Sequence, residues 1–291
     1  MAETDDLLDA TTALVPPLLT ALDALRAAGR HMHPPVLAEL VDAIRPQHGG
    51  LAEGFEVFQN TSWPEHLQTF VDCVSRSAKY GLRAFAQFEQ ALDAPQPAFV
   101  AYRAMGLTTK AIEALYPVAA MLPPVSRFYL EPQSRDNAEL LARLGAADAD
   151  NDHLGLMHAN NSTDERGGFS LYVPEYYAGE AVPLVLALHG GSGHGRQFIW
   201  SWLRAARSMN CIVIAPTSLD TTWSLMDPAA DAQRFAWLGW LCAAALEYRS
   251  AKGVAQRHVR WRNVFLCSRF ARRYAVYPFG TLFGVISSNA G

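Results

Sequence analysis

The sequence predicts an α/β protein: a helical N-terminal region over 1–145, followed by an incomplete parallel sheet over 153–291. Three observations carry this. Apolar residues in the first half recur at helical spacing. Three short apolar runs after residue 165 have strand character, two of them almost continuously apolar, as strands covered on both faces are. A helical stretch lies between the last two, giving the strand–helix–strand grammar of a parallel unit.

In the first half, Leu18, Leu19, Leu22 and Leu25 keep a helical face, with Gly29 as a stop. Val36, Leu37, Leu40, Val41 and Ile44 repeat it until Pro46 and Gly49-Gly50 break the pattern. Ser62-Trp63-Pro64-Glu65 reads as a capped helix start, with Leu67, Phe70, Val71 and Val74 as its buried face. Further helices are expected over 85–92, 109–115 and 136–144, the last closed by Gly145. His31, His33, His48 and His66 are read as exposed or capping residues, because no two have ligand spacing on a helix face. The small, acidic, aperiodic stretch 146–152 is taken as the linker.

Composition narrows the function classes. In 291 residues with a net charge of -4 there is no basic face for a nucleic acid. The 4 cysteines are widely spaced, so neither a zinc site nor a disulfide framework is expected. The acidic N-terminus does not resemble a signal peptide, and no apolar stretch has the length of a membrane span. A soluble, cytoplasmic protein without an integral membrane segment is the expectation.

The second half alternates as a half-buried strand over 168–174 and turns continuously apolar over 182–188 and 211–216, with a crossover helix over 198–208. The strand over 182–188 runs into His189-Gly190-Gly191-Ser192-Gly193-His194-Gly195. Glycines at the C-terminal end of a strand let the backbone approach a ligand and present its N–H groups. A dinucleotide fingerprint is disfavoured, because the glycines alternate and no acidic ribose partner can be assigned. H-G-G after a strand suits an oxyanion turn, in which backbone N–H groups stabilise a tetrahedral intermediate.

Together G-F-S-L-Y-V-P, V-L-A-L-H-G-G-S-G-H-G, I-V-I-A-P-T-S and T-W-S-L-M, about 60 residues, resemble the opening of bacterial α/β-hydrolases of the phospholipase/carboxylesterase type. The resemblance implies an α/β-hydrolase-type sheet and a serine acyl-enzyme acting on a small ester or lipid-like substrate without a cofactor or metal. It implies that Gly190 and Gly191 are the oxyanion donors. It also places His189, which shapes the turn, with Trp223 and Ser224 at the substrate mouth. Ser192 is read as a turn residue.

The family pattern then stops. No G-x-S-x-G elbow exists in the chain, and Ser250, Ser268, Ser287 and Ser288 lack flanking glycines. No catalytic residue can therefore be assigned, and the chain is expected to be inactive. Arg249, Arg257, Arg260, Arg262, Arg269, Arg272 and Arg273 crowd the region where buried strands should be. Moving the reading frame by one base over 246–265 can restore a V-L-L strand and a G-M-S-D-G elbow, so 246–282 is read as out of frame, with a loosely packed or unrelated C-terminal stretch. The chain ends at Gly291 before a plausible triad histidine, with His258 misplaced. The alternative is a non-catalytic binding protein using the helical region and the arginine-rich tail.

Overall fold

The computed structural model describes residues 2–149, 151–224, 231 and 264–268. It is a mixed α/β structure with a helical N-terminus, divided into compact units over Met1–Tyr129 and Leu130–Gly291.

The first unit contains α1 (Ala2–His31), α2 (Leu37–Ile44), α3 (Pro46–Asn60), α4 (Gln68–Leu92), α5 (Pro97–Leu115) and α6 (Pro123–Phe128). Leu14, Leu18, Leu22 and Leu25 of α1 are completely buried, as are Leu51 and Phe58 of α3, Phe88 of α4 and Leu115 of α5. By length and composition α1 could cross a membrane, a property that the core helix of a soluble protein shares.

Pro46 opens α3 and does not end the helical region. A first-turn proline loses no intrahelical bond, and burial of Leu51, Phe55 and Phe58 outweighs the cost of Gly49 and Gly50. Gly54 is required there: a Cβ would lie 2.3 Å from the Ala13 carbonyl oxygen of α1. The start expected at Ser62 is displaced. The helix α4 begins at Gln68 after a 3-10 turn over Glu65–Leu67 that Pro64 precedes, with no side-chain cap. Trp63 instead donates its Nε1–H to the Phe58 carbonyl (3.0 Å) and packs on Phe58 and Phe70. The segments expected over 85–92 and 109–115 are the ends of the longer α4 and α5.

The second unit begins with α7 (Ala138–Gly145), capped by Asn137, whose side chain accepts the Leu140 N–H. The units divide ahead of the 146–152 stretch because α7 packs against the segment that enters the sheet. Leu140 shares a cluster with Leu130 and Tyr176, and Arg143 lies over the Tyr176 ring at 4.4 Å.

The sheet contains β1 (Gly155–Ala159), β2 (Phe169–Val173), β3 (Leu184–Leu188), β4 (Ile212–Pro216) and β5 (Val264–Ser268), in the order β1-β2-β4-β3-β5. The first two pairings, β1 with β2 and β2 with β4, are antiparallel, whereas β3 is parallel to both β4 and β5. The sheet is therefore mixed, not purely parallel. Between β3 and β4 run α8 (Gly195–Phe198), a 3-10 turn, and α9 (Leu203–Met209). Val173, Leu184, Leu186, Ile212 and Ile214 form the core on the sheet.

The strand β5 falls inside 246–282, where no such strand was expected. Val264–Ser268 is a run without arginine between Arg262 and Arg269, so it pairs with β3 without placing a guanidinium in the ladder. The rest of 246–282, with Ser250, His258 and the other tail arginines, lies outside the described residues, as do Ser287 and Ser288.

Behind the sheet, Arg207 of α9 is 3% exposed and donates its Nε–H to both Glu175 carboxylate oxygens, at 3.2 and 3.1 Å. Glu175 also accepts from the Tyr172 hydroxyl at 2.9 Å, and the Tyr176 hydroxyl donates to the Arg207 carbonyl at 2.6 Å. These bonds tie the end of β2 to α9. Arg207→Ala removes the cation from this half-buried carboxylate and is expected to cost about 3 kcal/mol, read as a lower thermal midpoint of the full chain. Glu175→Gln, which leaves an acceptor, should cost less.

Candidate functional site

The turn 189–195 leaves the C-terminal end of β3 between β4 and β5. Its conformation is fixed by His189, which is 2% exposed. One ring nitrogen, Nε2, accepts the Ser218 backbone N–H at 3.0 Å. The other must then carry the proton, and Nδ1–H donates to the Gly190 carbonyl at 2.7 Å. Burial, with the charge of Arg166 adding to it, pushes the His189 pKa below its ordinary 6.5. Trp223 covers the imidazole with ring centroids 4.7 Å apart, and its Nε1–H donates to the His189 carbonyl at 2.8 Å.

His189 therefore shapes the turn and does not line a mouth: both its nitrogens face backbone, so it can act neither as a base nor as a ligand there. Trp223 is half-buried and forms a wall against the turn. Ser224 is exposed, and its backbone N–H donates to Asp231 Oδ2 at 2.7 Å. Ser192 stands at φ 56 with its N–H bonded to the Thr221 carbonyl at 2.8 Å, a left-handed turn position. Neither nearby histidine has a ring nitrogen left to activate its hydroxyl.

The glycines of the turn fall into two classes. A Cβ on Gly193 would meet the Gly190 carbonyl oxygen at 2.9 Å, and one on Gly195 the Ala215 carbonyl oxygen at 2.3 Å, so packing requires both. Around Gly190 nothing described lies within 4 Å of such a Cβ, and at Gly191 there is only Thr222 Oγ1 at 4.0 Å. Among the described residues, the N–H groups of Gly190 and Gly191 find no acceptor, whereas Ser192 and Gly193 donate within the turn and its neighbouring loop. The two N–H groups are adjacent in the chain and, among the described residues, unbonded.

Beneath the turn is a polar chain that sequence spacing did not reveal, buried at Ser170, Asn161, Thr217 and His194 and reaching the surface at His158. His158 Nδ1–H donates to Ser170 Oγ at 2.7 Å. The Asn161 amide lies with its oxygen accepting from Ser170 Oγ (2.7 Å) and its nitrogen donating to Thr217 Oγ1 (2.6 Å). Thr217 Oγ1 also accepts the Gly195 N–H at 2.9 Å and lies 3.3 Å from His194 Nδ1. His194 caps α8 by accepting the Arg196 N–H at 3.1 Å, while its Nε2–H donates to the Glu165 carbonyl at 2.8 Å. Each donor in this chain meets an acceptor, as burial demands. His158 is pushed down to about 4, mainly by its partial burial. Ser170 is completely buried, so its contact with His158 is structural and not that of a reachable nucleophile.

Among the described residues no group of three or more His, Cys, Asp and Glu could hold a metal ion. Comparison with models of protein families, with curated proteins and with solved structures finds no match to the chain in any of the three.

Because its folded pKa is lowered, His189 stays neutral in the native state at a pH where the unfolded chain takes up a proton. Stability is then complete above about pH 6.5 and falls as the pH drops below it. The urea midpoint should decrease between pH 7 and 5, and less steeply in His189→Asn.

Proposed function

We propose that the second unit is a carboxylesterase/phospholipase-type ester site of the α/β-hydrolase kind, with its oxyanion half built and its serine nucleophile missing. The observation that carries this reading is the pair of open N–H groups at Gly190 and Gly191, on glycines that packing among the described residues does not require. A ligand oxygen is what such a pair suits, and each donor is worth about 3 kcal/mol to a developing oxyanion. The turn's position supports the reading: ligands of open α/β sheets sit at the C-terminal ends of parallel strands, where neighbouring connections diverge. The strand β5 stands in parallel beside β3, where a nucleophile-bearing strand would have to stand.

The chain has no G-x-S-x-G to supply that nucleophile, and Ser268, opposite Leu188 in the register, still lies within the strand, not on a turn beyond it. Val264–Ser268 forms its strand in the frame as it stands, which counts against an out-of-frame segment at those five residues.

With 4-nitrophenyl butyrate the full chain should show no acyl burst and a turnover at least about a thousandfold below the ~10 s⁻¹ of an average enzyme. The residual rate above buffer should fall in Gly190→Ala, whose added Cβ meets no described atom within 4 Å. A stoichiometric burst with a covalent acyl adduct by mass spectrometry would show that a nucleophile exists after all.

A further inference from the structure

Arg166 lies in the loop before β2 and is exposed, yet its guanidinium is fixed in place. Its Nε–H donates to the Ser218 carbonyl at 3.1 Å, and its Nη2 to Ser218 Oγ and to the Gly193 carbonyl, the latter at 3.2 Å. The first two acceptors lie just beyond β4 and the third belongs to the turn after β3, so the guanidinium bridges the ends of the two parallel strands. All three acceptors are neutral. Asp164, Glu165 and Asp220 are near in sequence, but among the described residues no carboxylate forms an ion pair with Arg166. Nη1 makes no bond to a described residue.

A staple between two loops requires only a neutral donor. Here a permanent cation is held rigidly at the rim of the open turn, and its charge reaches the His189 ring. Arginine presents planar donors that match oxyacid geometry, and holding the side chain in advance lowers the entropy lost on binding.

We infer that Arg166 is a specificity residue that selects esters carrying a second, anionic oxyacid group, with the ester carbonyl at Gly190 and Gly191 and the anion at the guanidinium. This rests on the ester-site reading above. A carboxylate and a phosphate monoester share the required chemistry.

The test is a titration of the full chain, labelled with ¹⁵N-glycine, with monophenyl succinate, phenyl butyrate and phenyl phosphoglycolate, monitoring the Gly190 and Gly191 amides. Monophenyl succinate should shift them at concentrations about tenfold lower than phenyl butyrate, the scale of a lost charged hydrogen bond. Arg166→Gln should abolish that preference with the other glycine signals in place, and Arg166→Lys should retain part of it. Tighter binding of phenyl phosphoglycolate than of monophenyl succinate would assign the anion to a phosphate monoester; the reverse would assign it to a carboxylate. Equal response to the neutral and anionic esters overturns the role of Arg166 and leaves the ester site standing. No response of Gly190 and Gly191 to any of the three overturns both.

Discussion

The site depends on one constraint: the His189 imidazole held between the Ser218 N–H and the Gly190 carbonyl. A neutral imidazole has one donor and one acceptor, and both are used here by the backbone. One bond ties the turn after β3 to the loop after β4; the other pins the carbonyl of Gly190. With that carbonyl also accepting the Gly193 N–H (3.0 Å), the peptide between Gly190 and Gly191 is fixed. A protonated ring would lose the Ser218 bond and carry a charge in a buried place, so the same geometry sets the site's pH limit.

Packing turns that local constraint into a rigid platform. Gly195 brings the start of α8 against the Ala215 carbonyl of β4, closer than any side chain would permit. Thr217, one residue beyond β4, receives the Gly195 N–H and passes the hydrogen-bond chain through Asn161 to Ser170 on β2. Three strands therefore support the turn from below through fully paired polar groups. Trp223 closes the side over His189. Among the described residues the named polar groups below the turn are engaged, whereas the Gly190 and Gly191 N–H groups have no acceptor.

Much of this was legible in the sequence, for physical reasons that can be named. The strands β2, β3 and β4 and the turn between β3 and α8 are short-range features: apolar runs end at glycines, and the pattern states its own boundaries. The strand β1 was not legible, because Gly-Leu-Met-His-Ala carries no β-branched residue and becomes a strand only by pairing with β2. The helix α3 was missed because Pro46, Gly49 and Gly50 are local breakers overruled by tertiary burial. The strand β5 was hidden by arginines on either side of a five-residue stretch. The partners of the site, Arg166, Asn161, Thr217 and Ser218, join segments far apart in the chain, and such hydrogen bonds leave no periodicity to read. The distinction between required and unrequired glycines in one motif also needed coordinates.

The central claim is that the Gly190 and Gly191 amides face a ligand side and are not consumed by the fold. Amide hydrogen exchange of the glycines in the free full chain tests this most directly. Gly190 and Gly191 should exchange at nearly the rate of an unprotected peptide, while Gly193 and Gly195, bonded to the Gly190 carbonyl and to Thr217, should be protected. Protection of Gly190 and Gly191 equal to that of Gly195 would mean that the fold itself satisfies them, and the oxyanion reading of the turn would be contradicted.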